Sequence, residues 1–194
     1  MRSLDDQVAS DPRDEIVKFL GPMRAFALSL TRNGASADDL VQDTIVKAWK
    51  NFGSFTPGTN LQAWLFTILR NTFYSDRRKS RFEVEDVDGI FSGQLSEKPA
   101  HDGKLALNDF FAAFVKLPVD QREALALVGA SGYSYEEAAA TCGVAVGTIK
   151  SRLNRGRKAL VEMLHLSDED ALEMTDSVTT SIVNTKAFAA RTVR

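Results

Sequence analysis

The sequence predicts an all-α protein of two small helical domains joined by a flexible acidic linker. Three observations predict it. Apolar residues recur at three- and four-residue spacing in two blocks, 13–82 and 105–165. Between them, residues 83–104 show no period and carry six acids against two bases, with Gly89, Gly93, Pro99 and Gly103, the composition of a mobile, solvated tether. No segment of note alternates at strand period, and 194 residues leave room for two small domains.

In the first block the helical stripe starts near Ile16 and runs through Phe19, Leu20, Met23, Phe26, Ala27 and Leu30. The Asn33-Gly34 pair breaks it. Ser36 with Asp39 resembles a capping box and predicts the start of a second helix, whose stripe is Leu40, Val41, Ile45, Ala48 and Trp49. Residues 51–60, NFGSFTPGTN, form a loop. Leu61 opens a long third helix that buries Trp64, Leu65, Ile68 and Leu69 and ends in a polar, basic run, Asp76 to Arg81.

In the second block Leu105, Phe110, Phe111, Phe114 and Leu117 make one amphipathic segment. Pro118 suits the first turn of the next helix, which Gly132 ends. Ser134 and Glu137 form an S-x-x-E capping box, and Gly143 suits a left-handed stop after Cys142. A last helix runs from about Val146 to Leu164. Residues 1–12 are expected to be a flexible arm, and the tail 166–194 has few apolar anchors and no assigned role.

Composition narrows the function. The chain carries a net charge of −2, yet block 13–82 holds eleven bases against six acids, and such a basic block can meet nucleic acid. No apolar run approaches the ~18 residues of a membrane span, so no membrane partner is expected. The polar start, MRSLDDQVASDPRDE, lacks the apolar core of a secretory signal. One cysteine, Cys142, allows no internal disulfide and fits a reducing, cytoplasmic compartment. The two histidines, His101 and His165, stand far apart, so neither a metal nor another cofactor is expected. No nucleophile–base pair and no phosphate-binding loop is visible, which argues against an enzyme.

The motif with the most chemistry spans 134–160, SYEEAAATCGVAVGTIKSRLNRGRKAL: a capped short helix, a glycine turn and a second helix, the order of a helix-turn-helix. At ~100° per residue Ile149, Leu153 and Leu160 share the inner face, while Ser151, Asn154, Arg155 and Lys158 point away and Lys150, Arg152 and Arg157 flank them. Val146 to Leu160 holds five bases and no acid, and arginine, lysine and asparagine are the side chains that read base edges and hold phosphates.

Two further surfaces stand out in the first block. On ADDLVQDTIVKAWKNF the stripe leaves Asp39, Gln42, Asp43 and Lys47 on an outer face, acids first and base later. That order suits the helix's own dipole and would equally dock a basic partner helix. The stretch FGSFTPGTNLQAWLFTILRNTFYSDRRKSR mixes aromatics and amides with bases, as a single-strand platform does. Trp64 and Phe66 are better explained as core, and Arg77, Arg78 and Lys79 as phosphate contacts.

These segments resemble sigma factors. DDLVQDTIVKAWKN looks like the polymerase-binding segment of region two, FTPGTNLQAWLFTILRNTFYSDRRK like the part that melts and reads the minus-ten element, and LPVDQREALALV with the helix-turn-helix like region four. The resemblance covers about residues 13–165 and, lacking the intervening domains of large sigma factors, is to the extracytoplasmic-function (ECF) group, especially its EcfG-like general stress response branch. It implies that Asp39, Gln42 and Asp43 meet the clamp helices of the largest polymerase subunit. Thr56, Thr59, Asn60 and Asn71 would then handle an extruded minus-ten base. Thr148, Lys150, Ser151, Arg152, Asn154, Arg155 and Lys158 would serve the minus-thirty-five element, with the flap of the second-largest subunit as a further contact. It also implies a small NepR-like anti-sigma factor, itself sequestered by a PhyR-type response regulator. Two alternatives stay open: a sigma-like decoy that binds the anti-sigma factor without DNA, and an ordinary helix-turn-helix regulator.

Overall fold

The computed structural model describes residues 13–83 and 102–165. Segments 1–12, 84–101 and 166–194, on which the expected arm, most of the linker and the unassigned tail fall, lie outside the described residues. Among the described residues all regular structure is helical.

A 3-10 turn, Asp14–Phe19, leads into α1 (Leu20–Thr31). Arg32 closes α1 in the left-handed region at φ 62° and donates its N–H to the Leu28 carbonyl. Asn33 is then the N-cap of α2 (Gly34–Lys50): its Oδ1 accepts the Ser36 N–H at 2.9 Å. The cap expected at Ser36 therefore lies three residues earlier. Asn33 is extended and among the best capping residues, so the helix begins at once and Ser36 falls inside its first turn. At the other end the Asn51 amide donates to the Lys47 carbonyl. A short 3-10 turn, Phe52–Ser54, and an exposed loop lead to α3 (Leu61–Glu83), whose first turn is capped by Asn60 Oδ1 accepting the Ala63 N–H at 3.0 Å.

The three helices bury one face each. Met23, Phe26 and Leu30 of α1 meet Leu40 and Ala48 of α2 and Leu65, Phe66 and Leu69 of α3. Phe26 and Phe66 stack with ring centres 4.9 Å apart. Phe66 is core, as expected. Trp64 is half-buried in a rim cluster with Phe52 and Phe55.

The second unit begins with α4 (Asp102–Phe114), three residues ahead of the predicted start. Pro118 caps α5 (Val119–Ala124), which widens into a π-helical stretch, Leu125–Ala130, before Gly132 turns the chain at φ 69°. α6 (Tyr135–Cys142) carries the predicted box in full: Ser134 Oγ accepts the Glu137 N–H at 3.1 Å and Glu137 Oε2 accepts the Ser134 N–H at 2.9 Å. Gly143 stops it at φ 65°, and α7 (Val146–Leu164) follows. Ile149, Leu153 and Leu160 face inward as the wheel predicted, with Gly156 on the same stripe. There α7 crosses the π-helical stretch so closely that a Cβ on Gly156 would sit 2.9 Å from Leu125 Cδ1. The wide turn and the missing side chain together let two helices meet.

The two units are docked on each other. α5 packs on α1, and α6 on α3, so that the two cores are continuous. Tyr133 stacks on Phe66 at 5.7 Å. Buried polar groups fix the contact. Arg122 donates from Nε to the Ser29 carbonyl at 2.6 Å, from Nη2 to that of Leu30 at 3.0 Å and from Nη1 to that of its own Leu117. It thereby satisfies carbonyls near the end of α1 that have no helical partner, with a cation placed where the helix dipole is negative. Beside it, Glu123 takes Arg70 Nε at 2.5 Å and the Tyr74 hydroxyl at 3.3 Å, both from α3.

Candidate nucleic-acid and polymerase interfaces

The outer face of α7 is open. Lys150, Ser151, Asn154, Arg155 and Lys158 are exposed. Arg155 curls back on its own helix, with Nε to the Ser151 carbonyl at 3.2 Å and Nη2 to Ser151 Oγ at 3.3 Å. Lys150 Nζ lies 5.6 Å over the Tyr135 ring, which ties the second helix of the motif to the first. Two residues of the predicted set are less free. Thr148 is half-buried, and Arg152 pairs with Asp120 of α5 at 3.2 Å. Among the described residues the five bases of α7 meet acids only at Asp120 and, loosely, at Glu162, 4.0 Å from Lys158, so the helix presents a strongly positive face with amide and hydroxyl groups among the charges.

On α2, Asp39, Gln42 and Asp43 are exposed on one face, continued by Val46 and Trp49, each about half exposed. Lys47 departs from the outward position expected of it. Its Nζ reaches Thr72 Oγ1 of α3 at 3.1 Å, because the buried Thr72 hydroxyl lies within reach of its stem. The outer face is therefore acidic and amide-bearing first, apolar after.

Thr56, Thr59 and Asn60 stand together on the exposed loop before α3. The Thr59 hydroxyl donates to the Thr56 carbonyl at 2.7 Å, which shapes the turn with Gly58 at φ 85°. Asn60 uses its oxygen for the α3 cap and also lies within hydrogen-bonding reach of the Glu137 carboxylate of α6. Asn71, Arg77, Arg78 and Lys79 are exposed along α3. The loop and these α3 side chains belong to one element in sequence, but Asn60 stands at its start and Arg77 to Lys79 more than four turns further on.

The groups at the docking contact have shifted proton affinities. Burial pushes the Tyr74 phenol up to about 12, and the Glu123 charge adds to it. Burial works to lower the Arg70 guanidinium, but the charge and hydrogen bond of Glu123 outweigh it and the net direction is up. Arg122 is pulled down to about 10 by burial and by Arg32 and Arg77 nearby; it remains a cation at neutral pH. Burial raises Cys142 to about 12. At the α6 cap, hydrogen bonds from the Ser134 backbone and hydroxyl hold Glu137 below the usual carboxylate range.

Arg70, Tyr74, Arg122 and Glu123 carry this contact; the sequence places Arg70 and Tyr74 in the aromatic and basic stretch of α3 and gives Arg122 and Glu123 no role. No local signal marks Arg122 and Glu123, because an adjacent Arg-Glu pair in LPVDQREALALV fits the polar face of an ordinary amphipathic helix. Among the described residues no group of three or more His, Cys, Asp or Glu is placed to hold a metal ion, and no helix is long and apolar enough to cross a membrane.

Comparison with known proteins gives the family. Residues 16–83 match the model of Sigma-70 region 2 and residues 108–160 that of Sigma-70, region 4. The chain is 54% identical over 166 residues to the ECF RNA polymerase sigma factor EcfG of Rhodopseudomonas palustris (strain TIE-1), covering 86% of this chain and 92% of that one. Among solved structures it resembles the sigma factor RpoE of Bartonella quintana, crystallised with the anti-sigma factor NepR, with a TM-score of 0.73 and 52% identity over 82% of this chain and 99% of the other. It also resembles CnrH, solved in complex with the cytosolic domain of CnrY, with a TM-score of 0.51, 26% identity and coverage of 81% and 91%. The α1–α3 unit is sigma region 2, the helix-turn-helix unit is sigma region 4, and the chain belongs to the ECF sigma factors of EcfG type, which serve transcription initiation.

Proposed function

We propose that the two exposed faces divide the work of initiation between them. Asp39, Gln42 and Asp43 of α2 dock on the clamp helices of the largest polymerase subunit, with Lys47 held inward as a support for that face. Thr56, Thr59, Asn60 and Asn71 receive an extruded minus-ten base, and Arg77, Arg78 and Lys79 take its phosphates. Lys150, Ser151, Asn154, Arg155 and Lys158 enter the major groove at minus thirty-five, with Thr148 and Arg152 orienting the helix from its inner edge, while the flap of the second-largest subunit holds region 4. The work is divided between a first domain at 13–82 and a second at 105–165.

The observation that carries this reading is the exposed α7 face, whose bases stand clear of the core while the helix behind them is locked by a complete capping box. The role is non-enzymatic, without cofactor, and cytoplasmic. A NepR-like anti-sigma factor is the proposed regulator, supported by the 52% identity to an RpoE solved with NepR, and a general stress regulon is the proposed target. The double variant Asp39→Lys, Asp43→Lys tests the polymerase face. Both residues are exposed, so circular dichroism should not change while affinity for core polymerase falls at least tenfold, by ~1.4 kcal/mol. Unchanged affinity would remove the assignment.

A further inference from the structure

The positive face of α7 ends where an acidic segment of chain begins. From Val146 to Leu160 the helix holds five bases and no acid. Among the described residues no carboxylate pairs with Lys150, Arg155 or Arg157, and the Arg157 Nε is buried without a hydrogen-bond partner. Arg155 turns back on Ser151 of its own helix. Lys158 has only Glu162, at 4.0 Å and with both side chains mostly exposed, a contact worth little by itself. Like charges crowded on one helix face repel one another, and an anion laid across them relieves that repulsion.

The chain that follows has the opposite composition. Residues 166–176, LSDEDALEMTD, carry Asp168, Glu169, Asp170, Glu173 and Asp176 and no base. The region 4 match stops at residue 160, short of this segment. Because one chain carries both charge sets, their meeting is intramolecular, with an effective concentration in the mM range on the order of that for a short tether. Reach is no obstacle. His165 closes α7 in the left-handed region at φ 53° and donates its N–H to the Val161 carbonyl, so the chain leaves the helix axis there. At a rise of about 1.5 Å per residue Lys158 lies ~10 Å and Lys150 ~22 Å back from His165. Residues 166–176, fully extended, span up to ~36 Å. The basic run Arg77 to Lys79 of α3 has no such adjacency in sequence.

We infer, on the reading of α7 as the upstream DNA-reading helix, that the acidic segment 166–176 folds back on its outer face and occupies Lys150, Arg155 and Lys158 until promoter phosphates displace it. The segment is an intramolecular competitor for the phosphate contacts of region 4. Each exposed ion pair adds little, but several on one tether act together, and all are screened by salt, with a Debye length of about 8 Å at 0.15 M. The apparent affinity of region 4 for DNA is then the intrinsic affinity reduced by the fraction of chains whose α7 face is uncovered.

The test compares the native full chain with one carrying Asp168→Asn, Glu169→Gln, Asp170→Asn, Glu173→Gln and Asp176→Asn together, all outside the described residues. The first readout needs neither DNA nor polymerase: limited acylation of lysine amines, mapped by mass spectrometry. An ammonium beside carboxylates gives up its proton less readily. Lys150 and Lys158 should therefore react roughly 3- to 10-fold faster in the neutralised chain at about 0.05 M salt, and the gain should vanish near 1 M. The exposed Lys50 of α2 should react alike in both chains. The second readout is binding of the holoenzyme to a duplex selected by the native holoenzyme from a random-sequence pool. The neutralised chain should bind roughly 3- to 10-fold tighter at low salt, with a salt dependence steeper by about two charges. Unchanged amine rates, a rise at Lys79 of α3 in place of Lys158, or a rise without a gain in DNA affinity would each overturn the inference. Holoenzymes that both ignore the upstream element would overturn the DNA-reading role of α7 instead, and the amine rates would still report whether the segment covers it.

Discussion

Glu123 of α5 accepts the Arg70 guanidinium of α3 at 2.5 Å across 53 positions of sequence, and no solvent reaches its side chain. With Arg122 beside it, this pair joins two regions that sequence alone leaves as separate beads on a tether. Loss of one partner of such a pair leaves an uncompensated buried group, so stability should be most sensitive here.

Arg122 meets three carbonyls with a planar, forked head. Lysine keeps the charge and loses the fork. Arg122→Lys should cost about 2 kcal/mol, since each buried carbonyl left unmet costs roughly 1–3. By thermal unfolding this is a Tm lower by roughly 4–8 °C. A Tm within one degree of the native chain would show that the fork is not needed.

Gly156 lies under Leu125 Cδ1 and 3.4 Å from Gln121 Cβ, measured from where its own Cβ would be. In Gly156→Ala the Leu125 end group can turn away and the helix gains ~1 kcal/mol of propensity, so the net change should be small. Gly156→Val puts two more methyl groups into the crossing and should cost roughly 1–3 kcal/mol. Chemical denaturation of both variants separates these outcomes. Equal stability would mean α7 and α5 are less tightly packed than this geometry requires.

Neighbouring bases on α7 should separate by readout. Lys150 is exposed, whereas Arg152 is held by Asp120. Lys150→Ala should lower the salt dependence of promoter binding by about one charge. Arg152→Ala should act mainly on the thermal stability of region 4. Arg155→Ala should cost ~1–3 kcal/mol at the upstream element alone if it reads a base edge there. DNA titration at several salt concentrations measures the Lys150 and Arg155 effects and thermal unfolding the Arg152 effect, and identical results from Lys150 and Arg152 in both would contradict the division.

Tyr74 ionises late, near 12, against an ordinary value of 10.0. Its folded value is raised, so its stabilisation is complete below pH 10 and fades as pH rises toward 12. Absorbance at 295 nm should show this phenol titrating above its ordinary range in the folded chain, and Tyr74→Phe should remove that step. A Tyr74 that ionises at pH 10 while the chain stays folded would rule out its burial beside Glu123.

The helices were legible because their signals are local. The Ser134–Glu137 box, Gly143 and the Ile149–Leu153–Leu160 stripe each specify structure within a turn or two, and α6 and α7 follow them. The α2 start lies three residues before Ser36 because Asn33, half of a helix-breaking Asn-Gly pair, is also a capping side chain. The inward turn of Lys47 depends on Thr72, twenty-five positions away, and the docking of the regions on Arg70, Tyr74, Arg122 and Glu123. Such pairings between distant, individually ordinary residues leave no periodic trace. The exposed faces of α2 and α7 were readable for the opposite reason: each is one helix wide, and helical spacing alone places its side chains.

Run-off transcription with purified core polymerase on a promoter library, with and without the full chain, tests directly whether the chain directs initiation. Transcripts should require the chain, start downstream of a shared pair of minus-ten and minus-thirty-five sequences, and lose the upstream preference in Arg155→Ala. Tight binding to a NepR-like protein with no chain-dependent transcript would contradict it, and would make the chain a sigma-like decoy.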